Sequence, residues 1–281
     1  MGIPIAEDKF EGPTQRLTFL GIENDSVAMI CRLPSDKLVS LSSSLVSWQL
    51  RRKCTKRELL SLIGSLSFAG KVVKPGRIFL RRLINLSVKV SKLHHHLDIT
   101  ASVRADFSMW LSLLGGWNGS SILQSMQVSF LDLSLATEAS YLGMGAFFDG
   151  DWFSIPWPSD VSGCNIAILE LFAVYAALKS WSDRLCDKQV VMYTDNEAIV
   201  QVWESYSSKN ESIMVLVRAI FFASARSNLS LVLRHVPGYR KVFADLLSRL
   251  QVSRFRAVCP DAASLPAKVP SSIWECFNKV L

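Results

Sequence analysis

The sequence predicts an α/β protein whose C-terminal half forms a mixed five-stranded sheet with flanking helices, behind a mostly helical α+β N-terminal part. Strand and helix patterns after residue 126 follow the order β-β-β-α-β-α-α-β-α. A meander followed by alternating elements favours a mixed sheet covered by helices. Before residue 122, helical periodicity dominates. We therefore expect a β-containing segment at residues 1–45 and a helical segment at 46–122. An α/β domain at 126–250 and an extended tail at 251–281 should follow.

Composition places the chain among globular proteins, with 49% hydrophobic and 20% charged residues in 281. This length accommodates two domains. The six cysteines form no C-x-x-C pair, which disfavours zinc-ribbon and thioredoxin-like chemistry. The N-terminus carries acids and no long apolar core, so a signal peptide is not expected, and the apolar runs are too short to span a bilayer. A cytoplasmic or nuclear location fits best, without secretion or membrane association.

Local signals predict the elements of the N-terminal part. Alternation over Leu17–Leu33 predicts a hairpin turning at Glu23–Ser26, and Ser35 is a candidate helix cap. Thr55 and Glu58 form a capping-box pattern ahead of an apolar helical stripe. Further helices are expected at Ile78–Val90, after a break at Lys74–Arg77, and at Ser102–Leu114, with a boundary loop at Trp117–Ser121.

Basic residues are concentrated in one stretch of the chain, whose formal net charge is +7. Such a block favours a phosphate-facing surface, and the alternative is a solvated helical face. Between Arg51 and Lys92 only Glu58 is acidic, against Arg51, Arg52, Lys53, Lys56, Arg57, Lys71, Lys74, Arg77, Arg81, Arg82, Lys89 and Lys92.

The C-terminal half alternates between strand and helix signals. Asn165 is a candidate cap for a long apolar helix that ends at Cys186, and a tail follows from Arg254. Strands are predicted at Val128–Ser134, Met144–Phe148, Trp152–Trp157, Gln189–Tyr193 and Leu229–Arg234. Helices are predicted at Asn165–Cys186, Glu197–Ser205, Glu211–Ser227 and Lys241–Leu250.

Four acids fall at element boundaries, where side chains from separate segments can meet. Glu138 follows the first predicted strand, Glu170 lies in the long apolar helix, Asp195 ends the fourth strand and Asp245 lies in the last helix. Each has a simpler explanation. Glu138 and Asp195 could be turn or cap residues, Glu170 a helix-start acid, and Asp245 a partner of Arg249 at i+4.

An ordered set of motifs resembles the ribonuclease H domain of retroelement polymerases, and among these the DIRS-type tyrosine-recombinase retrotransposons. The motifs are Ala136-Thr-Glu-Ala-Ser140, Leu169-Glu-Leu171, Tyr193-Thr-Asp-Asn196, His235-Val-Pro-Gly238 and Ala244-Asp-Leu-Leu-Ser-Arg249.

The N-terminal part is similar to the polymerase of the same elements. Thr18–Ile22 resembles its primer-grip strand, at the edge of a residual palm segment. Residues 46–122 resemble the thumb and connection, notably Thr55–Leu59, Pro75–Arg77 and Leu80–Leu83. The Tyr-x-Asp-Asp motif that carries the polymerase metals in this family is missing from the sequence. We therefore expect no polymerase active site in this chain.

The resemblance implies Mg²⁺-dependent cleavage of the RNA strand in RNA–DNA hybrids. Two Mg²⁺ ions, or Mn²⁺ in their place, about 4 Å apart would be held by Glu138, Glu170, Asp195 and Asp245. His235 would assist proton transfer or product departure, although it could also be a loop-packing residue. Recognition of the hybrid would use 2′-hydroxyls and phosphates rather than bases.

Two positions depart from the family pattern. Glu138 stands where the family usually has Asp, and the extra methylene moves the carboxylate by about 1.5 Å, which is large against metal–oxygen tolerances. Lys241 stands where many relatives have Asn, and it could contact phosphate or compete with a metal. The alternative function is therefore an inactive nucleic-acid-binding module, or a remnant of a retrotransposon polymerase. The run His94-His-His96 is a poor metal cage, because consecutive side chains diverge.

Overall fold

The computed structural model describes residues 13–116, 118–121, 135–235 and 242–280. They fall into two units, divided between Met126 and Gln127. The strand predicted at Val128–Ser134, the loop residue Trp117 and the motif residues 236–241, including Lys241, lie outside the described residues.

The N-terminal unit contains a small antiparallel sheet instead of the single hairpin predicted. Its strands lie in the order β1 (Arg16–Phe19), β2 (Ile22–Asp25), β3 (Ile30–Arg32) and β6 (Ser120–Ser121). The turn predicted at Glu23–Ser26 is wrong, because the first hairpin already turns at Leu20 and Gly21, both at positive φ. Gly21 adopts this conformation without a steric penalty, which permits a two-residue turn.

Five helical segments and a short ladder complete the N-terminal unit. They are α1 (Ser35–Leu50), α2 (Lys56–Ala69), a 3-10 helix (Lys74–Phe79), α3 (Arg81–Ser87) and α4 (Ala101–Gly116), with strand β4 (Lys53–Thr55) paired to β5 (His96–Asp98). The capping box before α2 is confirmed, since Thr55 accepts from the Glu58 amide and Glu58 accepts from the Thr55 amide. Fully buried side chains of this unit include Leu45, Leu59, Phe107 and Trp110.

Two local predictions for this unit are wrong. Ser35 is not the cap of α1, because the helix already begins at Ser35 and Pro34 precedes it without a capping side chain. The helix predicted at Ile78–Val90 is replaced by the 3-10 helix and α3. A Cβ on Gly76 would lie 2.3 Å from the ring of Trp110, so the chain turns tightly at a glycine pressed against this ring. Helix α4 contains the helix predicted at Ser102–Leu114.

The C-terminal unit is built on a mixed five-stranded sheet with flanking helices, as predicted. Strands β7 (Leu135–Ala139), β8 (Gly143–Phe148), β9 (Asp151–Pro156), β10 (Gln189–Thr194) and β11 (Ser230–His235) lie in the order β11-β10-β7-β8-β9. The pairs β7–β10 and β10–β11 are parallel, whereas β7–β8 and β8–β9 are antiparallel. The helices are α5 (Ile166–Ser180), α6 (Ser182–Leu185), α7 (Glu197–Ser205), α8 (Glu211–Arg226), α9 (Val242–Ser248), α10 (Val252–Val258) and α11 (Ile273–Phe277).

Alternating aromatic residues show that both faces of the sheet are covered. In β8, Phe147 contacts Phe243 of α9 and Phe255 of α10, whereas its neighbour Phe148 contacts Trp181. Successive residues of a strand point to opposite faces, so α9 and α10 cover one face and the end of α5 covers the other. Trp181, packed also on Phe153, separates α5 from α6, and therefore the single helix predicted at Asn165–Cys186 is interrupted.

The C-terminal segment is not the extended tail predicted for residues 251–281, because it contains α10 and α11. Between these helices the amides of Ala263 and Ala267 donate to carbonyls of Gly150 and Trp152, so the segment runs beside the edge strand β9. In α11, Phe277 stacks on Trp157 with ring centroids 5.2 Å apart, and Trp274 stacks on Phe172 at 5.7 Å. Trp274 therefore docks this segment on Phe172 of α5. The segment is part of the core of this unit.

Candidate functional site

Two adjacent parallel strands bring Glu138 and Asp195 to the same end of the sheet. Strands β7 and β10 pair with Tyr193 opposite Ala136. Glu138 and Asp195 each follow this pair by two residues, so the register places them level. Neighbouring strands lie about 4.8 Å apart, within reach of two carboxylates that share a ligand.

Helix α5 supplies the third carboxylate. Asn165 caps this helix by accepting from the Ala167 amide at 2.9 Å, as predicted. Glu170 follows one turn later and is buried at 8% exposure among apolar neighbours. The Thr194 hydroxyl, at the end of β10, donates to Glu170 Oε2 over 3.4 Å. The cap and the threonine together orient a carboxylate that would otherwise be costly to bury.

The three carboxylates form one compact cluster, named here the acidic cluster: Glu138, Glu170 and Asp195. One oxygen from each lies within 4.8 Å of the others, with both glutamates buried and Asp195 exposed. Within the described ranges, no other group of three His, Cys, Asp or Glu side chains meets this distance. Mg²⁺ takes oxygen ligands at 2.0–2.1 Å, which sets neighbouring ligands about 3 Å apart. The acidic cluster therefore fits a hard divalent cation after small side-chain adjustments.

Glu138 lies inside a strand, and its predicted position after the first strand is wrong. It is the fourth residue of β7 and pairs across the sheet with Gly145. Its Oε1 accepts from the Ala139 amide at 3.2 Å. The polar pair Thr137-Glu138 resembles the end of a strand in sequence, but both residues are buried because sheet pairing continues around them.

Asp245 is not a member of the acidic cluster in this structure. It lies in the first turn of α9, and its Oδ1 accepts from Arg249 Nε at 2.8 Å. This is the i,i+4 pair that the sequence offered as the simpler explanation. The pKa of Arg249 is raised by the hydrogen bond and charge of Asp245, and in part by the charge of Glu138. Arg249 therefore lies close enough to interact electrostatically with both Asp245 and Glu138 of the acidic cluster.

His235 ends β11 beside the acidic cluster. It pairs in register with Thr194, the residue before Asp195, and its side chain is exposed. The parallel strands β7, β10 and β11 therefore place Glu138, Asp195 and His235 at a common end of the sheet. This position agrees with a role in proton transfer and does not test it.

The sequence did not single out Thr194 or the proximity of Arg249 to Glu138. Thr194 could have been found from its position, because it directly precedes Asp195 at the end of a buried strand. The sequence pattern indicates Arg249 only as an i+4 partner for Asp245. Its relation to Glu138 depends on how α9 crosses the sheet, for which no local sequence signal exists.

Some cations of the basic stretch in the N-terminal unit form ion pairs or hydrogen bonds, and most of the twelve are exposed. Arg51 pairs with Glu58, Lys53 with Asp98, and Arg82 with the buried Asp106. Lys56 donates to the carbonyls of Val90 and Ser91, and Arg81 is half-buried. Eight of the twelve side chains are exposed, namely Arg52, Lys53, Arg57, Lys71, Lys74, Arg77, Lys89 and Lys92.

Two rings of the histidine run contact each other. His94 and His95 meet edge to face, with ring centroids 5.0 Å apart. Among the described residues, the run belongs to no group of three possible metal ligands. None of the described helices is long and apolar enough to cross a membrane.

Comparison with solved structures identifies a distant likeness. The chain matches a structure of the foamy viral protease-reverse transcriptase dRH in complex with ds DNA, at 11% identity and a TM-score of 0.31. The match covers 79% of this chain and 38% of that chain. At this TM-score neither fold nor function follows from the likeness. No protein-family model matches the chain, and the curated proteins contain no match to it.

Proposed function

We propose that the C-terminal unit is an RNase H-like nuclease that cleaves the RNA strand of RNA–DNA hybrids with Mg²⁺, and that the chain derives from a DIRS-type retroelement polymerase. The observation that carries the proposal is the convergence of Glu138, Glu170 and Asp195 from a central strand, a helix and a second strand. The sequence motifs around these residues associate the same three acids, together with Asp245. Strand order β11-β10-β7-β8-β9 agrees with this assignment.

The acidic cluster provides carboxylate ligands for the divalent cations that promote phosphodiester hydrolysis. Two buried carboxylates and one exposed carboxylate would hold divalent cations at the end of the sheet, with Asp195 on the solvent side. Bound divalent ions supply an activated water and neutralise the charge that develops on the leaving oxygen. Thr194 keeps Glu170 oriented, and His235 lies where it can accept or donate a proton beside Asp195. Asp245 would join the site when its pair with Arg249 opens.

The test is cleavage of a hybrid with a labelled RNA strand by the full chain, with Mg²⁺ or Mn²⁺. We expect divalent-dependent cleavage that Asp195→Asn lowers by at least about a hundredfold, because the ligand charge is lost. Glu138→Asp should increase cleavage, since the shorter side chain restores the usual carboxylate position. Folded wild-type and Glu138→Asp proteins that both leave the hybrid intact would refute nuclease function.

A second candidate is an inactive nucleic-acid-binding module. It is favoured by the pairing of Asp245 with Arg249, which leaves three acids in the acidic cluster, and by the eight exposed cations of the N-terminal unit. This function predicts hybrid binding without cleavage. The logarithm of the affinity should then fall linearly with the logarithm of the salt concentration. Binding that is indifferent to salt would exclude this module.

A further inference from the structure

A polar cavity lies in the C-terminal unit, lined by residues in or next to α5, α8 and α11. Its volume is about 330 Å³. Three cations, Lys179, Arg226 and Lys279, line it against one acid, Glu275. The hydroxyl-bearing residues Tyr175 and Ser272 also line this cavity, which we name the basic pocket.

The three cations outnumber Glu275, the one acid that lines the basic pocket. Among the residues that the structure describes, none of the three forms a salt bridge, whereas Arg184 pairs with Asp149 and Arg249 with Asp245. Like charges that share a cavity repel one another. An anion bound between them would remove this repulsion. The basic pocket therefore has the positive charge that favours an anionic ligand.

Electrostatic coupling shows that the groups of the basic pocket lie close together. The pKa of the Tyr175 phenol is raised, chiefly by burial, and it also responds to the charges of Cys276, Arg226 and Glu275. The pKa of the Cys276 thiol is raised by burial and lowered in part by Lys279. Tyr175 therefore remains a neutral donor near pH 7, and Cys276 contributes no negative charge there.

The basic pocket is separate from the acidic cluster. On α5, Tyr175 and Lys179 follow Glu170 by five and nine residues. At 100° per residue they are turned about 140° and 180° away from Glu170, and Lys179 lies about 13 Å further along the helix axis. A ligand in the basic pocket would thus lie on the opposite side of α5 from the carboxylates.

We propose that the basic pocket binds a phosphate group. A tetrahedral dianion can accept hydrogen bonds from two ammonium groups, one guanidinium and the phenol at the same time. Apolar residues of α8, Ala219 and Phe222 among them, line the same cavity, so a ligand with an apolar part beside its phosphate also fits. The source is free phosphate or the terminal phosphate of a nucleotide.

Calorimetric titration of the full chain, in buffer containing EDTA, tests this site without any contribution from divalent ions. The probes are inorganic phosphate, adenosine 5′-monophosphate and adenosine. We expect phosphate and the monophosphate to bind and adenosine not to bind. Tighter binding of the monophosphate would identify a nucleotide ligand, and equal binding would identify free phosphate. Absence of binding by both anions at about 10 mM, which corresponds to less than about 3 kcal/mol, would overturn the proposal.

Charge variants establish where the anion binds. Arg226→Gln and Lys279→Gln should each weaken phosphate binding roughly fivefold, and Glu275→Gln should strengthen it about twofold. Lys209→Gln, an exposed lysine between α7 and α8, is the matched control and should leave the affinity unchanged. The gain in Glu275→Gln cannot come from a damaged fold. Equal affinity in wild type, Glu275→Gln and the Arg226→Gln/Lys279→Gln double variant would refute this location.

Discussion

Asp245 and Arg249 form a hydrogen-bonded ion pair, with Arg249 Nε 2.8 Å from Asp245 Oδ1. They lie one helical turn apart, with Asp245 inside α9 and Arg249 directly after its last residue, Ser248. The same guanidinium is within electrostatic range of Glu138 in the acidic cluster. Arg249 is therefore a counter-cation for both carboxylates, and it would compete with a metal ion bound at the acidic cluster.

Replacing Arg249 by Gln should increase the affinity of the acidic cluster for Mn²⁺ two- to fivefold. The substitution frees Asp245 and removes a positive charge near Glu138, and an exposed ion pair is worth up to about 1 kcal/mol. Calorimetric titration of Mn²⁺ measures the change. Arg254→Gln on α10 is the control and should match wild type. Unchanged or weaker Mn²⁺ binding in Arg249→Gln would show that the pair does not oppose metal binding.

Replacing Glu170 by Gln should stabilise the metal-free protein and weaken its metal binding. Three carboxylates confined within 4.8 Å repel one another, and two of them are buried. We expect the free energy of unfolding without metal to rise by about 1 kcal/mol. Mn²⁺ affinity should fall more than tenfold. Chemical denaturation with and without Mn²⁺ tests both, beside Glu204→Gln on the exposed side of α7 as control. A metal-free variant less stable than wild type would contradict the repulsion argument.

Replacing Gly145 by Ala should displace α9 from the sheet. A Cβ at this position would lie 2.4 Å from Leu247 Cβ and 2.5 Å from the Ser248 backbone nitrogen. Such overpacking costs about 1–3 kcal/mol. Gly163→Ala is the matched control, since nothing lies within 4 Å of its Cβ. Thermal melts compare the two variants, and equal melting temperatures would mean that α9 does not depend on the close approach at Gly145.

Replacing Phe277 by Ala should destabilise the C-terminal unit by about 3–5 kcal/mol. Phe277 is fully buried and contacts the rings of Trp157 and Phe172. Val258→Ala at the end of α10, where the side chain is 53% exposed, should change stability by less than about 0.5 kcal/mol. Urea unfolding monitored by tryptophan fluorescence measures both variants. A neutral effect of Phe277→Ala would restore the interpretation of this segment as a dispensable tail.

Asp25 should make the stability of the N-terminal unit sensitive to acid. Its pKa is lowered, first by the hydrogen bond from the Ala28 amide and also by the charges of Arg16 and Arg32. A carboxylate whose pKa is lower in the folded state stabilises the fold fully at pH values above its unfolded-state pKa, near 3.9. This contribution to stability disappears as the pH falls through the folded-state pKa. Asp25→Asn should therefore melt below wild type at pH 7. Thermal melts should show this difference shrinking as pH falls below about 3.9, and a constant difference across this range would contradict the assignment.

Local signals in the sequence determined much of the secondary structure. Thr55 and Glu58 specify the start of α2, and Asn165 specifies the start of α5, because each cap bonds amides only two or three residues away. The order of strands and helices likewise predicted a mixed five-stranded sheet. The prediction of an extended tail was wrong because prolines separate its apolar anchor Phe255 from Ile273 and Phe277, and the burial of all three depends on distant partners.

Motif order in the sequence associates Glu138, Glu170, Asp195 and Asp245 as one candidate set. The tertiary structure brings the first three together and leaves the fourth paired with Arg249. This division follows from distance along the chain. Convergence depends on the register between β7 and β10 and on the packing of α5 and α9 against the sheet, whereas the competing partner of Asp245 lies one helical turn away.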